Sequence, residues 1–179
     1  DTQMRIASMT KPITAVAAMS LIEEGRLGLD DRVGNYLPAF ERSVLATDNE
    51  RDASGEFPTR PARNPMLVRH LLMFASGVGP GREKDSVLVD YWNDNGIYGQ
   101  PGGDLSSRVA ALGSLPLLEE PGTSWRYGFS ADVLGAVLEK ATGQPLAEIF
   151  QERIFTPLGM VNTRFLPPPD LRSRMATVY

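Results

Sequence analysis

The strongest constraint on the fold is an uncharged stretch near the start of the chain, PITAVAAMSLI over residues 12–22. Its apolar side chains follow one another so closely that they point in every direction around a helix axis, which is typical of a helix with no solvent-facing side. Pro12 is compatible with the first turn, where a backbone N–H has no intrahelical acceptor, and Gly25 is a common residue just past a helix end. The sequence therefore predicts a helix over residues 8–24 that is buried on all sides.

Helical patterns also dominate the rest of the chain. Apolar side chains recur at helical spacing over residues 66–75, 84–95, 104–115, 131–142 and 145–156. Ser130 is of a residue type that caps helix starts, Gly143 follows the end of the same helix, and Pro145 suits the start of the next one. Patterns that alternate between apolar and polar residues, as strands do, are almost absent.

The chain has the length and composition of one ordinary globular domain. It contains 179 residues, of which 42% are hydrophobic and 22% are charged. Such values exclude collagen, coiled coils and disordered chains. We predict a single domain over residues 1–179, with a polar, proline-punctuated surface excursion at about residues 46–65.

Residue counts exclude several classes of function. The chain has no cysteine and His70 is its one histidine, so thiolate metal sites, multi-histidine metal sites and a cysteine nucleophile are excluded. The formal charge is -4 and no segment clusters Lys and Arg, so we expect no nucleic-acid partner. No apolar run is long enough for a membrane span. We expect no metal and no cofactor, and the sequence leaves the cellular compartment open.

The most informative motif is Ser8-Met9-Thr10-Lys11, at the start of the predicted first helix. The i, i+3 spacing places the hydroxyl of Ser8 and the amine of Lys11 on one face of a helix, within side-chain reach. A serine hydroxyl becomes a strong nucleophile when a base removes its proton, and a neutral lysine can be that base. A helix amino terminus adds free N–H groups that suit an oxyanion. Such a pair also arises by chance, so its context decides its meaning.

A second segment, PGTSWRYGFS over residues 121–130, joins a turn to the helix that follows Ser130. Tyr127 lies at this joint. A phenol at that place could pass a proton between Ser8 and a leaving group, although a tyrosine taken alone is more often a packing residue.

At these two places the sequence resembles the superfamily of serine β-lactamases and penicillin-recognising hydrolases. It is most similar there to class C-like enzymes and to the carboxylesterases that share their fold. Further matches, in the order expected for the superfamily, are MRIAS at residues 4–8, LDD at 29–31, YLP at 36–38, Leu71-Leu72 with Ser76-Gly77, and PLGM at 157–160 followed by Asn162-Thr163.

This resemblance implies an α+β fold of the β-lactamase/transpeptidase type, represented here mainly by its helix-rich portion. It also implies a serine hydrolase whose partner is a small ester or lactam. Ser8 would be the nucleophile, Lys11 its general base and Tyr127 the proton relay, and the Ser8 N–H would form half of an oxyanion hole. Phe129 and Ser130 are weaker candidates for substrate binding.

Two departures from the superfamily pattern bear on the substrate. Its Tyr-x-Asn motif reads Tyr127-Gly128-Phe129 here, without the amide that would hold a lactam substrate, so the resemblance favours esters. Its third motif, a strand with Lys, His or Trp before x-Gly, is absent, as are most strands of its sheet. We therefore expect a partial domain, completed by other residues or by a second chain. The alternatives are a β-lactamase or D-Ala-D-Ala carboxypeptidase, and a non-catalytic binding relative or inactive fragment.

Overall fold

Helices account for most of the regular structure in the computed structural model, which describes residues 2–48, 50–79, 91 and 104–177. The α-helices of these residues are α1 (Thr10–Glu23), α2 (Val68–Leu72), α3 (Leu105–Gly113), α4 (Ser130–Thr142) and α5 (Leu146–Phe150). Strands β1 (Val44–Ala46) and β2 (Thr59–Pro61) form an antiparallel pair. The prediction of a helix-rich chain with few strands is confirmed for the described residues.

Helix α4 is the centre of the core and packs against α1, α2, α3 and α5. Its residues 130–138 are all buried except Asp132. Gly135 allows the close approach of α5, because a Cβ atom at this position would lie 2.9 Å from Leu146 Cδ2. Gly143 ends α4 in the left-handed conformation, with φ 75°, as predicted.

Helix α1 follows a short 3-10 turn over Ala7–Met9, so Ser8 precedes the α-helix and does not lie in its first turn. The side chains that α1 buries are Thr14, Ala17, Ala18 and Leu21, whose spacing places them on one face. The prediction that the helix is buried on all sides is wrong for the described residues. The exposed fractions of Val16 and Met19 are 55% and 42%, because no described element covers that side of the helix.

Helix α2 is shorter than the predicted range 66–75. Its start is delayed because Leu67 is extended and forms an isolated bridge with Arg32. Its end is fixed by Phe74, whose φ of 54° lies in the left-handed region. The N–H of Ala75 donates to the His70 carbonyl at 2.8 Å, and the N–H of Phe74 donates to the Leu71 carbonyl at 3.2 Å. These are the two hydrogen bonds of a Schellman helix end.

The other predicted helices differ from the structure mainly at their ends. Asp104 caps α3 by accepting a hydrogen bond from the Ser107 N–H at 2.7 Å. The residue before α4 is Phe129, so the prediction that Ser130 is the cap is wrong. The segment predicted over 145–156 is α5 followed by one π-helical turn. The helix predicted over 84–95 lies outside the described residues except for Tyr91.

The assignment of the whole chain to one domain, with a surface excursion over 46–65, stays a prediction. Within that range, Phe57 is buried and packs edge-on against Tyr91, with 5.2 Å between the ring centroids. No helix among the described residues is long and apolar enough to cross a membrane.

Candidate active site

Ser8 and Lys11 meet at the start of α1. Lys11 Nζ donates a hydrogen bond to Ser8 Oγ at 3.2 Å. Ser8 is exposed, whereas Lys11 is half-buried. Ala7, directly before Ser8, has a φ of 44°, a conformation that costs a non-glycine residue energy and that is found most often near functional sites. The turn therefore presents the hydroxyl to solvent while the amine approaches it from the helix.

Tyr127 completes this cluster from the other end of the sequence. Its Oη lies 2.6 Å from Ser8 Oγ, a hydrogen bond in which either hydroxyl can donate. Lys11 Nζ also lies 4.9 Å from the centroid of the Tyr127 ring, within the range of a cation–π interaction. Ser8 Oγ thus has an amine and a phenol as direct neighbours, and all three predicted catalytic side chains lie together.

Backbone pairing with the segment after α2 positions Tyr127. The N–H of Arg126 donates to the Phe74 carbonyl at 2.7 Å, and the N–H of Phe129 donates to the Val78 carbonyl at 3.2 Å. The Phe74 ring is parallel to the Tyr127 ring within 6°, with 5.8 Å between centroids. Tyr127 is therefore held through the backbone on both sides of it and through its ring.

Two glycines allow this pairing. A Cβ atom at Gly79 would lie 2.8 Å from Gly128 Cα, and one at Gly128 would lie 2.5 Å from the Val78 carbonyl oxygen. Gly79 also has a φ of 119°, which side-chain-bearing residues rarely adopt. Gly79 and Gly128 therefore let the two backbone segments make a close contact next to the tyrosine.

The two predicted substrate-binding residues, Phe129 and Ser130, are both less exposed than Ser8. Ser130 is 1% exposed, and its hydroxyl lies 2.8 Å from that of the buried Ser76, which accepts a hydrogen bond from the Val78 N–H at 3.2 Å. Phe129 is half-buried and packs against the hydrophobic core. This hydroxyl pair therefore links α4 to residues 76–78, and substrate binding by Phe129 and Ser130 stays a prediction.

A groove of about 500 Å³ opens beside the amine and is lined by both Lys11 and Asp132. Its walls include apolar side chains, among them Leu105, Leu146 and Phe165. Asp132 is exposed to this groove, yet the protein around the groove excludes enough water that desolvation raises the pKa of the carboxyl group. The positive charge of Lys11 acts in the opposite direction and lowers that pKa. Among the described residues, no group of three or more His, Asp or Glu side chains could hold a metal ion.

Sequence reasoning missed Phe74, Ala7 and Asp132. Nothing in the sequence indicates a positive φ at an alanine or a phenylalanine, since both residue types favour other conformations. Asp132 falls in the first turn of α4, where an acidic residue is commonly explained by the helix dipole. Its position beside Lys11 depends on the packing of α4 against α1, which spacing along the chain does not contain.

The curated relatives of this chain include enzymes of ester chemistry. Protein Rv1367c of Mycobacterium tuberculosis is 37% identical over 180 residues, which cover 100% of this chain and 43% of the relative. Esterase EstB of Burkholderia gladioli is 36% identical over 172 residues, covering 93% of this chain and 39% of EstB. The chain thus spans less than half the length of these relatives.

Solved structures of other proteins are also similar to this chain. EstCE1, described as a hydrolase with promiscuous acyltransferase activity, superposes with a TM-score of 0.79 at 34% sequence identity. The match covers 100% of this chain and 43% of EstCE1. The helix-rich fold is therefore a portion of the β-lactamase-like fold. The Beta-lactamase family model matches residues 1–179, and on this evidence the chain belongs to the Beta-lactamase family.

Proposed function

We propose that this chain carries the catalytic residues of a serine hydrolase that cleaves small carboxylic esters through an acyl-enzyme on Ser8. The observation that supports this proposal most directly is the position of Ser8 Oγ, 2.6 Å from Tyr127 Oη and 3.2 Å from Lys11 Nζ. An exposed hydroxyl with a nitrogen base and a phenol in hydrogen-bond reach has the arrangement of an activated nucleophile.

In the first half-reaction, Ser8 Oγ attacks the ester carbonyl carbon and its proton passes to Lys11 Nζ, which accepts it when the amine is unprotonated. The tetrahedral oxyanion accepts a hydrogen bond from the Ser8 N–H, which lies in the turn ahead of α1, where the helix dipole favours negative charge. Collapse of the intermediate breaks the bond to the alcohol oxygen. Tyr127 Oη gives its proton to that oxygen and recovers one from the Lys11 ammonium, and the alcohol leaves.

In the second half-reaction, water attacks the acyl-enzyme and the acid is released, which restores the Ser8 hydroxyl. The sum is one ester and one water converted to one acid and one alcohol. An alcohol could replace the water, and the acyltransferase activity stated for EstCE1 makes acyl transfer a second candidate. The ratio of acid to new ester formed in the presence of an added alcohol measures this alternative.

Ester substrates are preferred over lactams because Tyr127-Gly128-Phe129 offers no side-chain amide at its third position. A β-lactamase or D-Ala-D-Ala carboxypeptidase remains the alternative within the fold. A non-catalytic binding protein is disfavoured, because a binding role gives no reason to place a half-buried amine beside an exposed hydroxyl. Small-molecule esters are therefore the proposed partners.

The test uses the complete natural protein that carries these residues. Hydrolysis of a short-chain p-nitrophenyl ester and of a chromogenic cephalosporin is measured for the wild type and for Ser8→Ala. Ser114→Ala is the matched control, because Ser114 is an exposed serine at the end of α3. We expect ester turnover that Ser8→Ala abolishes and Ser114→Ala leaves intact. Unchanged ester hydrolysis by Ser8→Ala would contradict the proposal, and lactam turnover would favour the alternative.

A further inference from the structure

Two residues of the described part of the chain combine a side chain with a positive φ, and both adjoin the catalytic cluster. Ala7 precedes Ser8, and Phe74 stacks on Tyr127. Strained residues persist where the surrounding structure compensates for their cost, and they concentrate at active sites. The strain at Ala7 is explained by the turn that exposes Ser8. The contact of Phe74 with the catalytic cluster is the stacking of its ring on Tyr127.

Phe74 occupies a position that glycine would fill at lower cost. The hydrogen bonds from Ala75 to His70 and from Phe74 to Leu71 make Phe74 the left-handed residue of a Schellman helix end. Glycine is the common residue there because it has no Cβ atom to clash in this conformation. Helix termination alone therefore gives no reason for a phenylalanine at this site.

The Phe74 ring has a partner that accounts for it. It lies parallel to the Tyr127 ring within 6°, and its own carbonyl accepts the hydrogen bond of the neighbouring Arg126 N–H at 2.7 Å. One residue thus fixes both the backbone next to Tyr127 and the plane of the Tyr127 ring. A swing of that ring about the Cα–Cβ bond, toward the side that the Phe74 ring occupies, would move Oη away from its 2.6 Å contact with Ser8 Oγ, whereas rotation about the ring's own Cβ–Cγ axis would leave Oη in place.

We infer that Phe74 is a positioning residue, whose ring holds Tyr127 Oη where it can deliver a proton to the leaving group. This inference rests on the proposed function, in which Tyr127 is the proton relay. It gives Phe74 no contact with substrate and no proton of its own. Its effect must therefore depend on how much a leaving group needs a proton.

Esters with different leaving groups test whether Phe74 acts through proton delivery by Tyr127. A p-nitrophenolate ion leaves without protonation at neutral pH, whereas the alkoxide of an alkyl ester needs a proton as it leaves. We compare kcat/KM, which reports the steps through acylation, for p-nitrophenyl and ethyl esters of the same acid. A misplaced catalytic group costs up to about 100-fold in rate. We expect Phe74→Leu and Phe74→Gly to lose about 10- to 100-fold with the ethyl ester, and less than about 3-fold with the p-nitrophenyl ester.

The variants separate the ring from the backbone. Phe74→Gly relieves the strained backbone and removes the ring, Phe74→Leu keeps the strain without the ring, and Phe74→Tyr keeps both. We expect Phe74→Tyr to stay within about 2-fold of the wild type for both esters, because it keeps the aromatic ring that stacks on Tyr127. Met73→Ala is the control at the same helix end, since Met73 is 59% exposed, and we expect it to keep the wild-type ratio of the two rates. Circular dichroism checks that each variant folds.

The outcomes distinguish this inference from the proposed function. Tyr127→Phe should show the same selective loss with the ethyl ester. If Ser8→Ala and Tyr127→Phe lose activity but Phe74→Leu and Phe74→Gly keep the wild-type ratio, the positioning role is wrong and the hydrolase mechanism stands. A Phe74→Tyr variant as impaired as Phe74→Leu also overturns the role of the ring. Turnover that survives Ser8→Ala overturns both.

Discussion

Replacement of Gly79 by alanine tests the close backbone contact behind Tyr127. The added Cβ atom would lie 2.8 Å from Gly128 Cα and 3.0 Å from the Phe129 nitrogen. Both neighbours are backbone atoms, so neither can swing aside as a flexible side chain would. Overpacking of this kind costs about 1–3 kcal/mol. The φ of 119° adds a strain of about 1–3 kcal/mol for any residue with a Cβ atom.

We therefore expect Gly79→Ala to lower the free energy of unfolding by about 2–6 kcal/mol. Gly143→Ala is a matched control, because Gly143 also has a positive φ, 75°, but nothing lies within 4 Å of an added Cβ atom. Its loss should be the strain alone, about 1–2 kcal/mol. Guanidinium unfolding measures both losses, and ester hydrolysis by the folded fraction should fall in Gly79→Ala alone. Equal losses of stability in the two variants would refute the close-contact argument.

Three further predictions concern the base, the histidine and the core. Lys11→Arg keeps the positive charge but supplies a group that does not deprotonate, so acylation should fall at least about 100-fold. A stopped-flow acylation rate near that of the wild type would show that Lys11 acts through its charge. Burial and the charge of Arg69 lower the pKa of His70 from its usual 6.5, against the opposing effect of Asp30, and His70 Nδ1 accepts the Leu67 N–H at 3.2 Å. The unfolded chain then binds the proton more readily, so His70 should stabilise the fold above pH 6.5 and lose that contribution as the pH falls. Unfolding measured between pH 7 and pH 5 should show this slope in the wild type and a smaller one in His70→Asn. Phe150 is 1% exposed, so Phe150→Ala should cost about 3–5 kcal/mol in guanidinium unfolding, and a loss below about 1 kcal/mol would contradict its place in the core.

The helices that the sequence predicts best are those whose ends have a local chemical cause. Gly25 and Gly143 both adopt positive φ after α1 and α4, as their positions indicate. The end of α2 was not predictable, because Phe74 adopts a left-handed conformation that its residue type disfavours. Local sequence signals therefore identify a helix end when glycine is used, and fail when tertiary contacts impose the same conformation on a larger residue.

The burial of α1 shows a second limit of the sequence. Its composition is apolar on every side, but Val16 and Met19 are exposed in the described structure while Ala17 and Ala18 are buried. An apolar pattern indicates which side chains can be buried, whereas the neighbouring elements determine which of them are buried.

In the candidate site, too, one part follows from local spacing in the sequence and another part depends on the tertiary fold. Ser8 and Lys11 could be paired from their i, i+3 spacing, because the 3-10 turn that leads into α1 also keeps residues three apart on one side. Tyr127 could be placed between a turn and the helix that follows it. Its 2.6 Å contact with Ser8, however, joins residues far apart in the sequence. The groups that support it, Phe74 and the close approach of Gly79 to Gly128, depend on the tertiary fold and carry no local pattern.

The central claim is that catalysis passes through an acyl group on Ser8, and mass spectrometry of a quenched reaction tests it most directly. The complete natural protein is mixed with a p-nitrophenyl ester, quenched in acid during the first turnovers and digested, with Ser8→Ala treated in parallel. The mechanism predicts that the peptide containing Ser8 gains the mass of one acyl group in the wild type and that the variant shows no such gain. Release of p-nitrophenol by the wild type, with the acyl group on another residue or with the Ser8 peptide unmodified throughout the burst, would contradict the mechanism.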